Sequence, residues 1–193
     1  MHYKVRHFFS SLSYRFSPRG MLSAARFYWH SGDRSYVVFG AGIAVLFVSL
    51  SLFVYHTIVD QREAREIRCL ALNIYHEARG EPKEGKYAVA SVTLNRVASK
   101  HYPDTVCEVV FQKGWDYLRK RYVSAFSWTE LDAPTSMNSR AWQQAEYIAE
   151  DVYRNPETQN LKNALFYHAR HIRPSWARRK ISVAKSGRHV FYN

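Results

Sequence analysis

The seven residues Tyr75-His76-Glu77-Ala78-Arg79-Gly80-Glu81 form the densest cluster of chemically capable side chains in the chain. A His-Glu pair suggests a zinc protease, but that chemistry needs a second histidine four positions after the first, on the same helical face, and Gly80 stands there. His168 and His171 could join His76 in some other metal site. Nine histidines in a basic chain supply such triplets by chance, so no metal and no cofactor is expected. Glu77 is different, because it falls late in a mostly apolar helical segment whose inward positions include Leu70 and Ile74. Partial loss of solvent raises a carboxyl pKa, and a carboxylic acid that stays protonated near neutrality can expel a glycosidic leaving group. By pattern alone, a glutamate near a helix end is more often a solvated surface residue, and Glu81 and Glu84 read that way.

The elements that must hold Glu77 follow from periodicity. From Asp60 the chain reads as helix, charged at first and apolar at Ile67, Leu70, Ala71 and Ile74, until Gly80 and Pro82 stop it. A second helix is expected from about Glu84 to Ala98, and a short third one from Pro103 with Asp104 in its first turn. Residues 112–137 read as loop, yet carry Trp115, Phe126 and Trp128, which suits either local packing or a ligand groove. A further amphipathic helix spans Ser139 to Tyr153 and ends at Asn155-Pro156. The segments ALFYHA (164–169) and HVFYN (189–193) read as short strands around a helical turn begun at Pro174. The expected fold class is mainly α with a small β-sheet, in one domain over 60–193.

Ahead of that domain, Tyr36 to Val59 gives 24 consecutive residues without Lys, Arg, Asp or Glu, where a membrane-spanning helix needs roughly 20. Residues 1–35 hold six basic side chains against one acid, Asp33, which predicts a cytoplasmic N-terminal segment. The expected order is therefore a basic cytoplasmic segment (1–35), a single transmembrane anchor (36–59) and a periplasmic domain (60–193). The apolar run exceeds the length of a cleavable signal, so it reads as a retained anchor. In an oxidising compartment Cys69 and Cys107 would pair, closing a loop that contains Glu77; two unpaired buried thiols are the alternative. Overall, 28 basic residues against 16 acidic ones leave a formal charge of +12, which favours anionic partners. Lys162 to Arg188 contributes eight basic residues and no acid. That run is either a solvated face or an attractor of polyanions and anionic lipid; nucleic acid is not an expected partner outside the cytoplasm.

The stretch LALNIYHEARGEPKEGKYAVASVTLNRV (70–97) resembles the signature of the SleB/CwlJ-type cell-wall hydrolases, a family named for spore-cortex-lytic enzymes. Further similarities are PDTVCEVVFQ (103–112), FSW (126–128), ALFYHA (164–169), PSWARR (174–179) and GRHVFY (187–192), in the same order. The resemblance implies a lysozyme-like domain of the goose-lysozyme or lytic-transglycosylase type, acting on peptidoglycan strands with Glu77 as its one catalytic acid. It also supports the Cys69–Cys107 bridge. The implied product is the anhydro end of a lytic transglycosylase; the alternatives are a hydrolytic muramidase or glucosaminidase, and a catalytically inactive wall-binding assembly protein.

Sugar rings present flat apolar faces edged with hydroxyls, so Phe126, Ser127, Trp128, Tyr167, His168 and Trp176 are the expected substrate-binding residues. The place of Tyr167 in ALFYHA resembles that of the tyrosine lining the cleft beside the acid in the lysozyme-like superfamily. The sequence FYHA departs from the YYN of the spore enzymes and puts His168 where an asparagine stands.

Overall fold

A computed structural model describes residues 17–193, apart from Ser31, Asp33, Leu118, Asp132, Gln159, Asn160 and Lys162. Lys4, Arg6, Arg15, Asp33 and Lys162, all used in the charge reading above, lie outside the described residues. The chain divides into two compact units, Met1–Val59 and Asp60–Asn193.

In the first unit, α1 (Pro18–His30) starts with proline at its first position, and the Ser17 hydroxyl accepts from the Gly20 N–H at 3.1 Å. Helix α2 (Arg34–Ala78) begins in this unit and is long and apolar enough in this part to cross a membrane. Its large side chains here, among them Phe39, Leu46, Phe47 and Phe53, are exposed among the described residues.

The second unit opens on the C-terminal part of α2, whose buried residues Cys69, Leu70, Ala71, Ile74, Tyr75 and Ala78 fall at helical intervals. Full burial of Leu70 and Ile74 contributes about 2 kcal/mol each. Helix α3 (Lys83–Val97) is the central one, since every residue from Gly85 to Thr93 is buried. The short α4 (Val106–Val110) is capped by Thr105, and its first N–H groups, from Val106 and Cys107, donate to the Glu66 carboxylate at 2.5 and 3.2 Å. Helix α5 (Arg140–Arg154) is capped by the Ser139 hydroxyl and buries Trp142, Ala145, Ile148, Ala149 and Val152. These faces meet in one apolar cluster; a smaller one joins Ala78, Val89 and Val92 to Leu161, Ala164 and Phe191.

Two small sheets complete the unit. The hairpin β1 (Lys113–Asp116) with β2 (Arg121–Ser124) lies inside the segment read as loop. Its residues are mostly exposed, so no apolar alternation marked it in the sequence. The second sheet has the order β3-β5-β4, from β3 (Phe166–Ala169), β4 (Ser182–Ser186) and β5 (His189–Tyr192), all antiparallel. The strands expected at 164–169 and 189–193 are present; β4 was not anticipated, because its exposed residues and central lysine resemble a loop. A 3-10 turn, Ser175–Arg179, follows Pro174 as expected. Short helix α4 starts three residues later than Pro103, where the Thr105 cap begins it.

Cys69 and Cys107 form a disulfide joining α2 to α4, with their Cα atoms 5.2 Å apart.

Candidate active site

Glu77 is the next-to-last residue of α2, half-buried, directly before the break at Arg79 and Gly80. The Tyr167 hydroxyl, from β3, donates to Glu77 Oε2 at 3.1 Å. Burial pushes the Glu77 carboxyl above its usual pKa, and this outweighs the opposing effects of the Tyr167 bond and the Arg96 charge. Burial and the neighbouring carboxylate drive the Tyr167 phenol well above its ordinary value, so it remains a donor throughout the accessible pH range.

Tyr167 is held from several directions. Its ring lies 5.3 Å from His189 edge-on and 5.7 Å from Phe191. The strand is delivered by the C-terminal turn of α3: Asn95 Nδ2 donates to the carbonyls of Leu161 and Ala164 at 2.6 and 3.1 Å, and Arg96 Nε to that of Leu165 at 2.9 Å. The same Arg96 guanidinium lies 5.4 Å from each of the Tyr102 and Phe126 rings. Asn95 and Arg96 thus fix the strand that carries the partner of Glu77. Both stand in the LNRV end of the quoted signature, which was the only sequence signal for them.

On the other side of the helix end, the Trp128 indole stacks on His76 at 4.5 Å with planes 13° apart. Trp128 Nε1 donates to the fully buried Asn73 Oδ1 at 3.3 Å, and Asn73 Nδ2 donates to Thr93 Oγ1 at 3.0 Å. His76 Nε2 is 2.8 Å from Thr135 Oγ1. Burial and the Arg79 charge hold the His76 pKa below its usual value, so near neutrality the stacked ring is uncharged.

Of the six expected substrate-binding residues, Tyr167 touches Glu77, and Trp128 stacks on the residue beside it. Ser127 is exposed at the start of the 3-10 turn Ser127–Thr129. Phe126 is only 4% exposed and belongs to the core, so it supports the loop and has no free face for a sugar. His168 and Trp176 sit together, 5.6 Å apart, on the sheet face opposite to Tyr167. Glu77 lines none of the cavities that open beside Lys86 and Tyr147, beside Arg173 and Arg178, or beside Arg65 and Glu66. Among the described residues no group of three His, Cys, Asp or Glu could hold a metal ion, so His76, His168 and His171 do not assemble.

Glu81 departs from its reading as a surface residue. It is 5% exposed and accepts from the Arg188 N–H at 2.7 Å and the Arg188 guanidinium at 2.6 Å. Burial would raise its pKa, but the two bonds from Arg188 and the charges of His189 and Arg188 hold it below the usual value. It thereby fastens the β4–β5 turn to the end of α2. Gly187, at φ 54°, is required there, because a Cβ at this position would collide with Glu81 Oε2. The neighbouring His189 Nδ1 is buried without a hydrogen bond among the described residues, 3.9 Å from Glu81 Oε2. The sequence carried no signal for this latch, since its two halves are 107 residues apart.

The domain is thus mainly helical with two small antiparallel sheets and holds a half-buried acid at a helix end. The profile of the Cell Wall Hydrolase family matches residues 80–192, and the chain belongs to that family. The match begins three residues after Glu77. Over 47 residues the chain is 53% identical to the spore cortex-lytic enzyme of Oceanobacillus iheyensis and 51% identical to that of Bacillus subtilis strain 168. Those segments are 24% of this chain but only 17% and 15% of the two relatives, so the chain matches less than a fifth of their length. Among solved structures, the catalytic domain of the Bacillus cereus SleB protein matches with TM-score 0.54 and 28% identity, over 66% of this chain and 89% of that one. The catalytic domain of the germination-specific lytic transglycosylase SleB from Bacillus anthracis matches with TM-score 0.51 and 28% identity, over 66% and 93%. The domain therefore has the fold of the SleB catalytic domain.

Proposed function

We propose that this chain is a membrane-anchored enzyme that cleaves the glycan strands of peptidoglycan by lytic transglycosylation, with a lysozyme-like domain over residues 60–193 in the periplasm. Residues 36–59 are the single-pass anchor in the cytoplasmic membrane and residues 1–35 its cytoplasmic end; the exposed apolar side chains of α2 and the basic residues before it support this order. The observation that carries the activity is the half-buried Glu77 carboxyl, its proton affinity raised and its Oε2 held by Tyr167, in a chain of the Cell Wall Hydrolase family.

In the proposed reaction, Glu77 gives its proton to the oxygen joining N-acetylmuramic acid C1 to N-acetylglucosamine, and the C1–O bond breaks. The neighbouring acetamido carbonyl supports the electron-poor C1. Glu77, now a carboxylate, accepts the proton of the muramyl C6 hydroxyl as that oxygen attacks C1. A 1,6-anhydro end is left, and the acid is regenerated. Tyr167 stabilises the carboxylate in the middle of the cycle, while burial favours the acid at its two ends. Hydrolysis by two carboxyls would need a second free one. Glu81, four positions on, is occupied by Arg188 and is not available for that role. Trp128, stacked on His76 next to the acid in sequence, and the exposed Ser127 before it are the proposed sugar contacts.

Digestion of sacculi by the full-length chain in detergent, with mass spectrometry of the released muropeptides, tests the reading. Anhydro-muramyl ends are expected, and their loss in a folded Glu77→Gln variant. Reducing ends would assign hydrolysis instead; binding to sacculi with no release would make the protein a wall-binding one.

A further inference from the structure

The three-stranded sheet has two faces of opposite character. Tyr167 pairs with Phe191 on the face toward the core and Glu77, whereas His168, Val190 and Lys185 pair on the other. A cavity of about 730 Å³ opens on that outer face, within the range of sites that hold a small ligand. Its wall carries Arg170, Arg173, Arg178 and Lys185, all exposed, and no carboxylate. Four arginines elsewhere in the domain are matched, Arg119 with Asp116, Arg121 with Glu130, Arg154 with Glu63 and Arg188 with Glu81. Among the described residues none of the four cations around this cavity has an ion-pair partner. Like charges gathered around one recess repel one another until an anion neutralises them.

The lining also has shape and polarity. Tyr192 and His168 stack at 5.2 Å, with His168 Nε2 2.9 Å from the Tyr192 hydroxyl, and Ile172, Pro174 and Ala177 add apolar wall. Guanidinium forks match carboxylates in a bidentate manner, and the apolar wall suits small methyl side chains. A flat lipid surface would engage an exposed basic stripe better than a recess.

We propose that this outer-face cavity binds an acidic peptide, the carboxylate-bearing stem that hangs from the glycan. The inference rests on the peptidoglycan reading above and adds a second holding point, back to back with the acid across the sheet. The enzyme grips stems on one face of β3 while it cuts glycan from the other, which retains it on the polymer between cuts.

The test is co-sedimentation of the full-length chain, in detergent, with intact sacculi, comparing the parent with Arg173→Glu/Arg178→Glu and with the milder Arg173→Gln/Lys185→Gln. Both variants lie away from Glu77, so the cleavage rate on glycan stripped of its stems should stay at the parental value. Apparent affinity for intact sacculi should fall about tenfold and its salt dependence should flatten. Amidating the sacculus carboxylates should bring the parent down to the level of the variants, and the free tripeptide alanyl-γ-glutamyl-diaminopimelate should compete. Equal binding of parent and variants to intact sacculi would overturn the proposal. Displacement by dihexanoylphosphatidylglycerol but not by the tripeptide would overturn it in favour of a phosphate headgroup. Failure of the parent to cut either substrate would remove the cleavage reading, while the binding comparison would still decide the stem site.

Discussion

The Tyr167 hydroxyl and Glu77 Oε2, ninety positions apart in the chain, meet at 3.1 Å. The bond favours the carboxylate over the acid, so it opposes the burial that raises the Glu77 pKa. In Tyr167→Phe the carboxyl should hold its proton to still higher pH, and the alkaline limb of activity should move upward. The maximum rate should fall about tenfold, because the carboxylate half of the cycle loses its donor. The phenylalanine ring keeps the contacts with His189 and Phe191, so melting should change little. A pH profile of glycan solubilisation measures this; a profile superposing on the parent would show that the bond has no part in catalysis.

The Glu81 latch makes a stability prediction with a defined sign. Its folded pKa lies below the usual 4.5, so the charged form is favoured on folding. Its stabilisation is fully present above the usual value and is lost as pH falls through the depressed one. Glu81→Gln should cost about 2 kcal/mol near pH 7, and the gap to the parent should close on acidification. Gly187→Ala should destabilise at every pH, since the residue would need φ near 54° and a Cβ inside the Glu81 carboxylate. Thermal melts between pH 7 and pH 3 separate the two behaviours.

Helices α2 and α5 were legible because their inward residues repeat at three and four, as at Ile67, Leu70, Ala71 and Ile74. Strand β3 was legible through its aromatic, β-favouring run, and the partial burial of Glu77 at the helix end through the apolar residues that precede it. The hairpin β1–β2 and strand β4 were hidden, because short exposed strands have no buried face to write an alternation. Phe126 and Trp128 look alike in sequence but are divided by tertiary packing: one fills the core, the other stacks on His76. Glu81 and Arg188 show the same limit for charges, since only the folded chain brings the two together.

The Cys69–Cys107 disulfide spans 38 positions and ties the helix carrying Glu77 to α4. Loop-closure entropy puts its contribution at about 4 kcal/mol. Cys69→Ser/Cys107→Ser should therefore melt well below the parent, and reductant should lower the melting of the parent but not of the variant. Activity at low temperature should survive, because the bridge lies on the far side of α2's buried stretch from the helix end. Inactivity of a variant shown to be folded would mean that the bridge positions Glu77 directly.

Trp128 separates packing from recognition. Trp128→Phe keeps a ring over His76 but leaves Asn73 Oδ1 buried without its indole donor, costing about 1–2 kcal/mol. Trp128→Ala also removes the stack and should cost about 3 kcal/mol. If the indole is a sugar contact, KM for glycan rises about tenfold in the alanine variant and stays near the parental value in phenylalanine, while kcat changes less than KM in both. Binding and turnover measured at a temperature where all three proteins are folded distinguish the roles. A KM unchanged in Trp128→Ala would leave the indole only its packing against His76 and its bond to Asn73.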